Sequence, residues 1–173
     1  MLTVISAGMT SEEIILNGIS KATDPSSGGR HMSNHFAKAD LNIHNTSSCT
    51  GNHTQHAAGL GRAFKKYNHP GVVISSQGES SVSEGYVYEA INGASNEHLP
   101  VIFVFQDNGY GISVPKEDQT ANRKVANNVS GFKNLKIFHG NGKDVFDSMN
   151  TMFKAKEWVV KNQMPAIVQA NCV

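Results

Sequence analysis

The chain has 173 residues, a formal net charge of +1, 39% hydrophobic residues and 17% charged residues. This composition predicts a single domain over residues 1–173 that buries a hydrophobic core, and it excludes a disordered chain or a nucleic-acid binder with a basic surface. Cys49 and Cys172 are far apart and form no C-x-x-C motif, which argues against a disulfide framework or a thiolate metal site. Because the sequence contains no secretory signal and no membrane-spanning run, we expect a cytoplasmic protein without a membrane partner.

The first half of the chain predicts two helices separated by a long loop. An amphipathic helix begins near Ser11, where acidic residues are followed by apolar ones at Ile14 and Ile15. Residues 30–48 are polar and rich in histidine without a clear period, which predicts a long loop with one short strand. Residues 54–67 are rich in alanine and glycine, so we expect a helix there that packs closely on a sheet.

The second half of the chain alternates strands and helices. The predicted elements are strand 72–75, helix 83–97, strand 101–105, strand 135–138, helix 144–162 and strand 166–168. The first two strand candidates are continuous apolar runs, as in strands that are buried on both faces of a parallel sheet. Two βαβ units therefore predict an α/β fold, a three-layer α/β/α domain with a mainly parallel sheet. On the last helix, Phe153 and Trp158 are predicted to be core residues.

Polar residues follow two of these strands where the sheet would end. Residues 77–81 come after the first strand, and residues 106–110 come after the second. Ligands of open parallel sheets bind at the carboxyl ends of the strands, so Glu79 and Asn108 are expected to face one crevice. Carboxylate and amide oxygens suit Mg²⁺ that also carries ligand phosphates. A structural alternative stays open, because Asp-Asn-Gly is a common turn and a glutamate near a helix start often pairs only with the helix dipole.

Two other kinds of site have little support in the sequence. No G-x-G-x-x-G follows a predicted strand and there is no Walker lysine, which disfavours a plain nucleotide site. His31 with His35, and His53 with His56, have spacings that could bind zinc, but no third ligand follows at a suitable distance. The sequence thus leaves the Mg²⁺ site and the plain turn as the main alternatives.

A longer motif connects the two polar segments. The stretch GESSVSEGYVYEAINGASNEHLPVIFVFQDNGYGISVP resembles the thiamine-diphosphate motif in the decarboxylating (alpha) subunit of 2-oxo acid dehydrogenases. In that family Gly-Asp/Glu-Gly is followed after some 26 residues by Asn-Asn, and here residues 81–106 form the interval. The stretches GRHMSNHF, TSSCTGNHTQHAAGLG and GNGKDVFDSMNTMFKAKEWV resemble further family segments, so the resemblance covers nearly the whole chain. Glu79, where many members have aspartate, favours the branched-chain (2-oxoisovalerate) type.

The resemblance implies a thiamine-diphosphate-binding fold and a set of ligands for its cofactor. Glu79 and the side chain of Asn108 are expected to bind Mg²⁺, with the backbone carbonyl of Tyr110 as a third protein ligand. The backbone N–H groups of Ser80 and Ser81 correspond to family positions that contact the diphosphate. Thiamine diphosphate and Mg²⁺ are thus the expected cofactors.

Other cofactor-binding positions match the family less closely. Ser48 corresponds to a position that contacts the diphosphate, and Thr50 stands where the family has a bulky aliphatic residue that props the cofactor in its bent shape. Gln106 replaces an arginine that branched-chain members direct toward the diphosphate. Asp107 replaces the first asparagine of the closing pair. Ser80 replaces the second glycine of the motif, which would strain the turn if its φ were positive.

The implied activity is that of a 2-oxo acid dehydrogenase alpha region. Such an enzyme catalyses oxidative decarboxylation of a 2-oxo acid, here of the branched-chain type, and transfers the acyl group to lipoamide. The implied partners are a beta subunit or fused beta region, which supplies the catalytic glutamate, and the lipoyl acyltransferase core. An oligomer is expected, and no catalytic acid or base is predicted within residues 1–173.

Two features of the resemblance leave alternatives. The family has a Tyr-Arg pair upstream and a histidine loop downstream, and neither is found within residues 1–173, so we expect a fragment truncated at both ends that is inactive alone. A non-catalytic assembly domain of the same complex is one alternative. An acetoin-dehydrogenase-like thiamine enzyme is another, because it shares much of the NGYGISVP segment.

Overall fold

The computed structural model describes the backbone of residues 2–173 and the side chains of residues 3–173. Its described part divides into two compact units, the first ending at Cys49 and the second spanning Thr50–Val173. That both units belong to one domain over residues 1–173 stays a prediction.

The first unit begins with two short helices. They are α1 (Leu2–Ser6) and α2 (Ser11–Gly18). The second starts with a capping box, in which the Thr10 hydroxyl accepts a hydrogen bond from the Glu13 N–H and the Glu13 carboxylate accepts one from the Thr10 N–H. This pairing satisfies two N–H groups that a helix start would leave free, and it confirms the helix predicted from Ser11.

The rest of the first unit is largely irregular, as predicted for residues 30–48. A short 3₁₀ helix (Ala39–Leu41) lies between Lys38 and Ile43, whose backbones form an isolated antiparallel bridge. The predicted short strand is therefore only a single bridge. The buried apolar residues of this unit form one small cluster: Met9, Ile14 and Phe36.

The second unit contains a four-stranded parallel sheet. Its strands are β1 (Val73–Gly78), β2 (Val101–Asp107), β5 (Lys136–Asn141) and β6 (Ala166–Asn171), in the spatial order β1-β2-β6-β5. Two further strands, β3 (Tyr110–Gly111) and β4 (Val114–Pro115), pair with each other as a small antiparallel hairpin. The predicted parallel sheet is confirmed, whereas the hairpin was not predicted because two-residue strands leave no periodic pattern.

Helices cover both faces of this sheet. They are α3 (His53–Lys66), α4 (Gly85–Glu97) and α6 (Val145–Asn162). Phe103 and Phe105 of β2 pack in one apolar cluster with α3 and α4, and Ile102 packs in a second cluster with α6. Because alternate residues of a strand point to opposite faces, this division confirms three α/β/α layers. Among residues 2–173, no helix is both long and apolar enough to cross a membrane.

All four strands of the sheet extend further than the apolar runs indicated, as β1 and β6 illustrate. β1 continues to Gly78 because Ser75 and Gln77 are buried on the packed face, where the Ser75 hydroxyl lies 3.3 Å from Gln77 Oε1. β6 continues to Asn171 and includes the buried Gln169. Polar side chains that find hydrogen-bond partners can occupy strand positions inside a core. A prediction from the apolar pattern alone therefore places the ends of such strands too early.

The helices also differ from prediction in several respects. Phe153 is 57% exposed, so its assignment to the core was wrong, while Trp158 is partly buried against the cluster under α6. The helix predicted from residue 83 begins at Gly85, because a 3₁₀ helix (Ser80–Ser83) precedes it. A four-residue helix, α5 (Lys116–Gln119), was not predicted, since it is too short to show a helical period.

The approach of α3 to the sheet depends on one glycine. A Cβ atom on Gly61 would lie 2.6 Å from Val101 Cγ2 and 3.3 Å from Leu99 Cβ, whereas a Cβ on Gly59 would meet no atom within 4 Å. We expect Gly61→Ala to lower the free energy of unfolding by about 1–3 kcal/mol through overpacking. Gly59→Ala should raise it by up to about 1 kcal/mol, because alanine favours helix. Urea unfolding of both variants is the measurement, and equal effects would contradict the close packing.

Candidate cation and phosphate site

The carboxyl ends of β1 and β2 lie side by side, as the sequence predicted. The register pairs Gly78 with Gln106, and the Glu79 N–H donates a hydrogen bond to the Gln106 carbonyl over 3.1 Å. Glu79 and Asn108 thus follow neighbouring strands at one edge of the sheet. This is the position in an open parallel sheet where ligands bind.

Glu79 has a buried carboxylate whose hydrogen bonding is incomplete. The residue is 1% exposed, and its Oε2 accepts a hydrogen bond from the Asn108 N–H over 3.2 Å. Its Oε1 is buried and has no hydrogen-bond partner among the described residues. An ionised oxygen in that position is costly to bury, and a cation bound to it would remove the cost.

Asn108 and Tyr110 add further oxygens next to Glu79. Asn108 is exposed, and its Oδ1 accepts a hydrogen bond from the Tyr110 N–H over 2.9 Å. The second lone pair of that oxygen is available to bind a cation. Between them Gly109 has a φ of +85°, a conformation that favours glycine. The side-chain oxygens of Glu79 and Asn108 and the nearby backbone carbonyls are the kinds of ligand that Mg²⁺ prefers.

The turn after Glu79 is unstrained at Ser80. Ser80 begins the 3₁₀ helix, and no described residue from Glu79 to Glu84 has a positive φ, so the serine does not force the backbone strain considered from the sequence. The Ser80 side chain lies against the hairpin instead. A Cβ atom on Gly111 would lie only 2.5 Å from the Ser80 hydroxyl oxygen. Close packing between this turn and the hairpin therefore requires glycine at 111.

A buried carboxylate lies at the end of β2. Asp107 accepts hydrogen bonds from the Lys116 ammonium group at 2.7 and 2.8 Å, from Gln169 Nε2 at 2.7 Å and from the Gly109 N–H at 3.2 Å. The Gln169 side chain in turn accepts a hydrogen bond from the Ala126 N–H. Sequence reasoning missed Lys116 and Gln169, because the contact from Gln169 to Asp107 joins positions 62 residues apart.

The Cys172 thiol lies near the negative charges at this edge of the sheet, and they affect its pKa. Burial raises the pKa of Cys172, and the negative charges of Asp107 and Glu79 raise it further. Only Asp107 of these two carboxylates forms an ion pair among the described residues, with Lys116. The local field therefore favours a cation near Glu79.

The other predicted site residues are divided between the two units. Ser81 is half-buried in the 3₁₀ helix, Gln106 is exposed near the end of β2, and Thr50 is exposed at the start of the second unit. Ser48 belongs to the first unit, where its hydroxyl lies 3.1 Å from His35 Nε2. The structure thus brings Glu79, Ser80, Ser81, Gln106, Asn108 and Tyr110 to one edge of the sheet.

Two further observations bear on whether this edge is the functional site. Residues 2–173 contain no cluster of three His, Cys, Asp or Glu side chains that could hold a metal, so a cation here needs amide and backbone oxygens as well. A cleft of about 280 Å³ lies between α3 and α4, and it is lined by Gln55, Arg62 and Glu89 among others. Its lining includes none of the predicted site residues, so the polar edge of the sheet is the stronger candidate.

Comparison with known proteins identifies a family whose sequence profile matches this chain. The profile of the family "Dehydrogenase E1 component" matches residues 1–173. The 2-oxoisovalerate dehydrogenase subunit alpha of Bacillus subtilis (strain 168) is 30% identical over 169 residues, which cover 98% of this chain and 51% of the relative. The mitochondrial 2-oxoisovalerate dehydrogenase subunit alpha of Homo sapiens is 30% identical over 142 residues, or 82% of this chain and 32% of the relative.

A third relative has a different substrate in its name. The mitochondrial pyruvate dehydrogenase E1 component subunit alpha of Dictyostelium discoideum is 31% identical over 168 residues, or 96% of this chain and 42% of the relative. This chain therefore spans about half the length of its curated relatives, or less. Since the family profile matches along the whole chain, the protein belongs to the dehydrogenase E1 component family.

Proposed function

We propose that these residues form the Mg²⁺ and diphosphate half of a thiamine-diphosphate site in a 2-oxo acid dehydrogenase alpha subunit. Glu79, the Asn108 side chain and the Tyr110 carbonyl would hold the cation. The backbone N–H groups of Ser80 and Ser81 would contact the diphosphate. The family assignment supports this proposal, and the geometry at the carboxyl ends of β1 and β2 is compatible with it.

The buried Glu79 Oε1 is the observation that carries the proposal. A glutamate that served only as a turn or dipole residue would be expected to reach solvent or to satisfy both oxygens with N–H groups. Here one oxygen accepts the Asn108 N–H and the other has no partner among the described residues. A divalent cation shared with phosphate oxygens is the ligand that such an arrangement fits best.

Diphosphate binding requires positively charged groups or N–H donors. At the proposed site the chain supplies mainly N–H donors, those of Ser80 and Ser81. Gln106, which replaces the family's arginine, contributes a neutral amide, and its side chain is exposed at the strand end. The bound cation would therefore carry most of the charge compensation for the diphosphate. We accordingly propose that cofactor affinity depends strongly on Mg²⁺.

The activity of the whole protein is proposed to be oxidative decarboxylation of a branched-chain 2-oxo acid with acyl transfer to lipoamide. When bound, thiamine diphosphate supplies the electron sink for this chemistry, while the protein binds and orients it. No acid or base for the reaction is assigned within residues 1–173, so a beta subunit or fused beta region is proposed to complete the site. The lipoyl acyltransferase core is the proposed acceptor partner.

The proposed location is the cytoplasm. Cys49 and Cys172 are both free cysteines, which is compatible with a reducing compartment.

Titration calorimetry of the native, fully assembled protein with thiamine diphosphate tests the proposal. With Mg²⁺ in excess we expect a dissociation constant of roughly micromolar or tighter. This corresponds to a binding free energy of about −8 kcal/mol or more negative. With EDTA in place of Mg²⁺ the affinity should fall by at least about tenfold, because the diphosphate would then approach Glu79 without a cation.

The outcomes distinguish the proposal from its alternatives. Absence of binding in the assembled protein would overturn the proposal in favour of a non-catalytic assembly domain. Binding that does not depend on Mg²⁺ would overturn the assigned role of Glu79. If the cofactor binds but only acetoin is turned over, the acetoin-dehydrogenase alternative replaces the 2-oxo acid reaction.

A further inference from the structure

A short segment after β2 is attached at two points to the strand ends that carry Glu79 and Asn108. This segment, which we call the strap, consists of residues 110–119 and contains β3, β4 and α5. At one point, the Lys116 ammonium group contacts both carboxylate oxygens of Asp107. At the other, Gln119 Nε2 donates a hydrogen bond to the Ser80 carbonyl over 2.8 Å.

The strap directly follows the turn that contains Asn108. The Lys116 N–H donates to the Gly109 carbonyl over 2.9 Å, which closes residues 109–116 into a loop. Tyr110 pairs with Pro115 inside that loop. The position of Tyr110 thus depends on where Lys116 is held, and the Asn108 side chain is linked to it through the hydrogen bond that Asn108 Oδ1 accepts from the Tyr110 N–H.

Lys116 is held chiefly by charge. Its side chain is 19% exposed, and that of Asp107 is 2% exposed, so the ion pair is largely removed from solvent. Asp107 is itself fixed in place by Gln169 from the neighbouring strand β6. Removal of the lysine charge would leave a carboxylate buried without its counter-charge, which strongly disfavours the present arrangement.

The second attachment leaves little freedom for a shift. Gly111 lies so close to Ser80 that a Cβ atom at 111 would overlap the Ser80 hydroxyl. The strap and the turn after Glu79 are therefore closely packed at this point. If the Lys116 attachment is released, only the Gln119 hydrogen bond holds the strap to the Ser80 turn, and the Tyr110 carbonyl and the Asn108 side chain bonded to the Tyr110 N–H lose a support.

We propose that Lys116 is a positioning residue for the cation site, an inference that rests on the proposed function. Its ion pair with Asp107 keeps the strap in register, so that Asn108 Oδ1 and the Tyr110 carbonyl stay beside Glu79. Lys116 does not touch the cation in this role. It acts through Asp107 and through the backbone of residues 109–116.

Three variants of the native, assembled protein test this role. Lys116→Met keeps the aliphatic stem and removes the charge, Lys116→Arg keeps the charge, and Asp107→Asn combined with Lys116→Met removes both charges. Lys133→Met is the matched control, because Lys133 is exposed and forms no hydrogen bond or ion pair among the described residues. Calorimetry gives the Mg²⁺ concentration for half-maximal cofactor binding, and hydrogen exchange gives the opening of residues 108–116 without ligands.

We expect Lys116→Met to raise the half-saturating Mg²⁺ concentration by about tenfold or more, because a buried carboxylate loses its partner. Amide exchange in residues 108–116 should become faster in the same variant, even without cofactor. Lys116→Arg should return both values to within about threefold of wild type, which is less than 1 kcal/mol, whereas the doubly neutral variant, which also lacks the ion pair, should resemble Lys116→Met. Lys133→Met should match wild type.

The two readouts separate failure of this inference from failure of the proposed function. If wild type binds no Mg²⁺ and thiamine diphosphate, the proposed function fails, and the cation-site role of Lys116 fails with it. If wild type binds but Lys116→Met has unchanged exchange and Mg²⁺ dependence, only the inference about Lys116 fails. If Lys116→Met does not fold, the doubly neutral variant takes its place, and wild-type exchange and Mg²⁺ dependence in that variant, or loss of Mg²⁺ binding in Lys116→Arg, would overturn the role of the ion pair.

Discussion

Replacement of Glu79 by glutamine is expected to weaken Mg²⁺-dependent binding of thiamine diphosphate by at least about 100-fold. Changes in residues that merely orient a metal ligand already cost about 10–100-fold, and Glu79 is proposed to be a ligand itself. Glutamine keeps the shape of the side chain and can still accept the Asn108 N–H, so the change removes mainly the charge. Calorimetric titration in excess Mg²⁺ measures the loss.

Stability gives this prediction a second readout. The Glu79 carboxylate is 1% exposed with one oxygen unpaired among the described residues, so glutamine should leave the free energy of unfolding of the cofactor-free protein unchanged or raise it. Glu84→Gln is the control, because Glu84 is exposed and forms no side-chain capping bond at the start of α4. Wild-type affinity in Glu79→Gln, or an equal loss in Glu84→Gln, would contradict the assignment.

Replacement of Phe103 by alanine is expected to lower the free energy of unfolding by about 3–5 kcal/mol. Phe103 is 0% exposed in the middle strand β2, where it packs in the cluster formed with α3 and α4. Deletion of its ring removes contacts within the layer formed by α3 and α4 and leaves a cavity that the sheet cannot close. Urea unfolding followed by circular dichroism is the measurement.

Phe153→Ala provides the matched control on the other side of the sheet. Because the Phe153 side chain is 57% exposed on α6, its removal should change the free energy of unfolding by no more than about 0.5 kcal/mol. Similar losses for both phenylalanines would mean that Phe153 is covered in solution. They would then contradict the exposure of α6 described above.

Local patterns were sufficient to predict the architecture. The continuous apolar residues 101–105 indicated a strand buried on both faces, and β2 confirms it. Once β1 and β2 were taken as parallel neighbours, the proximity of Glu79 and Asn108 followed from geometry alone. Patterns of this kind depend only on the burial of neighbouring residues, which a sequence displays directly.

Contacts between distant residues were not predictable in the same way. The ion pair of Asp107 with Lys116 and the hydrogen bond from Gln169 depend on how β2, β6 and α5 come together. Polar residues in strands look like strand ends in a sequence, although Gln77 and Gln169 are buried inside β1 and β6. Phe153 shows the converse error, because an aromatic residue at helical spacing is exposed here.

The division of β2 between two apolar clusters has a consequence for insertions and deletions. Phe103 and Ile102 face opposite layers, so the loss of one residue within β2 would exchange the layers that they face. It would also shift Asn108 by about 3.3 Å relative to Glu79. The interval between these two residues is thus the combined length of a 3₁₀ turn, a helix and a strand, and the short connection 98–100 between α4 and β2 is itself anchored by the buried Leu99.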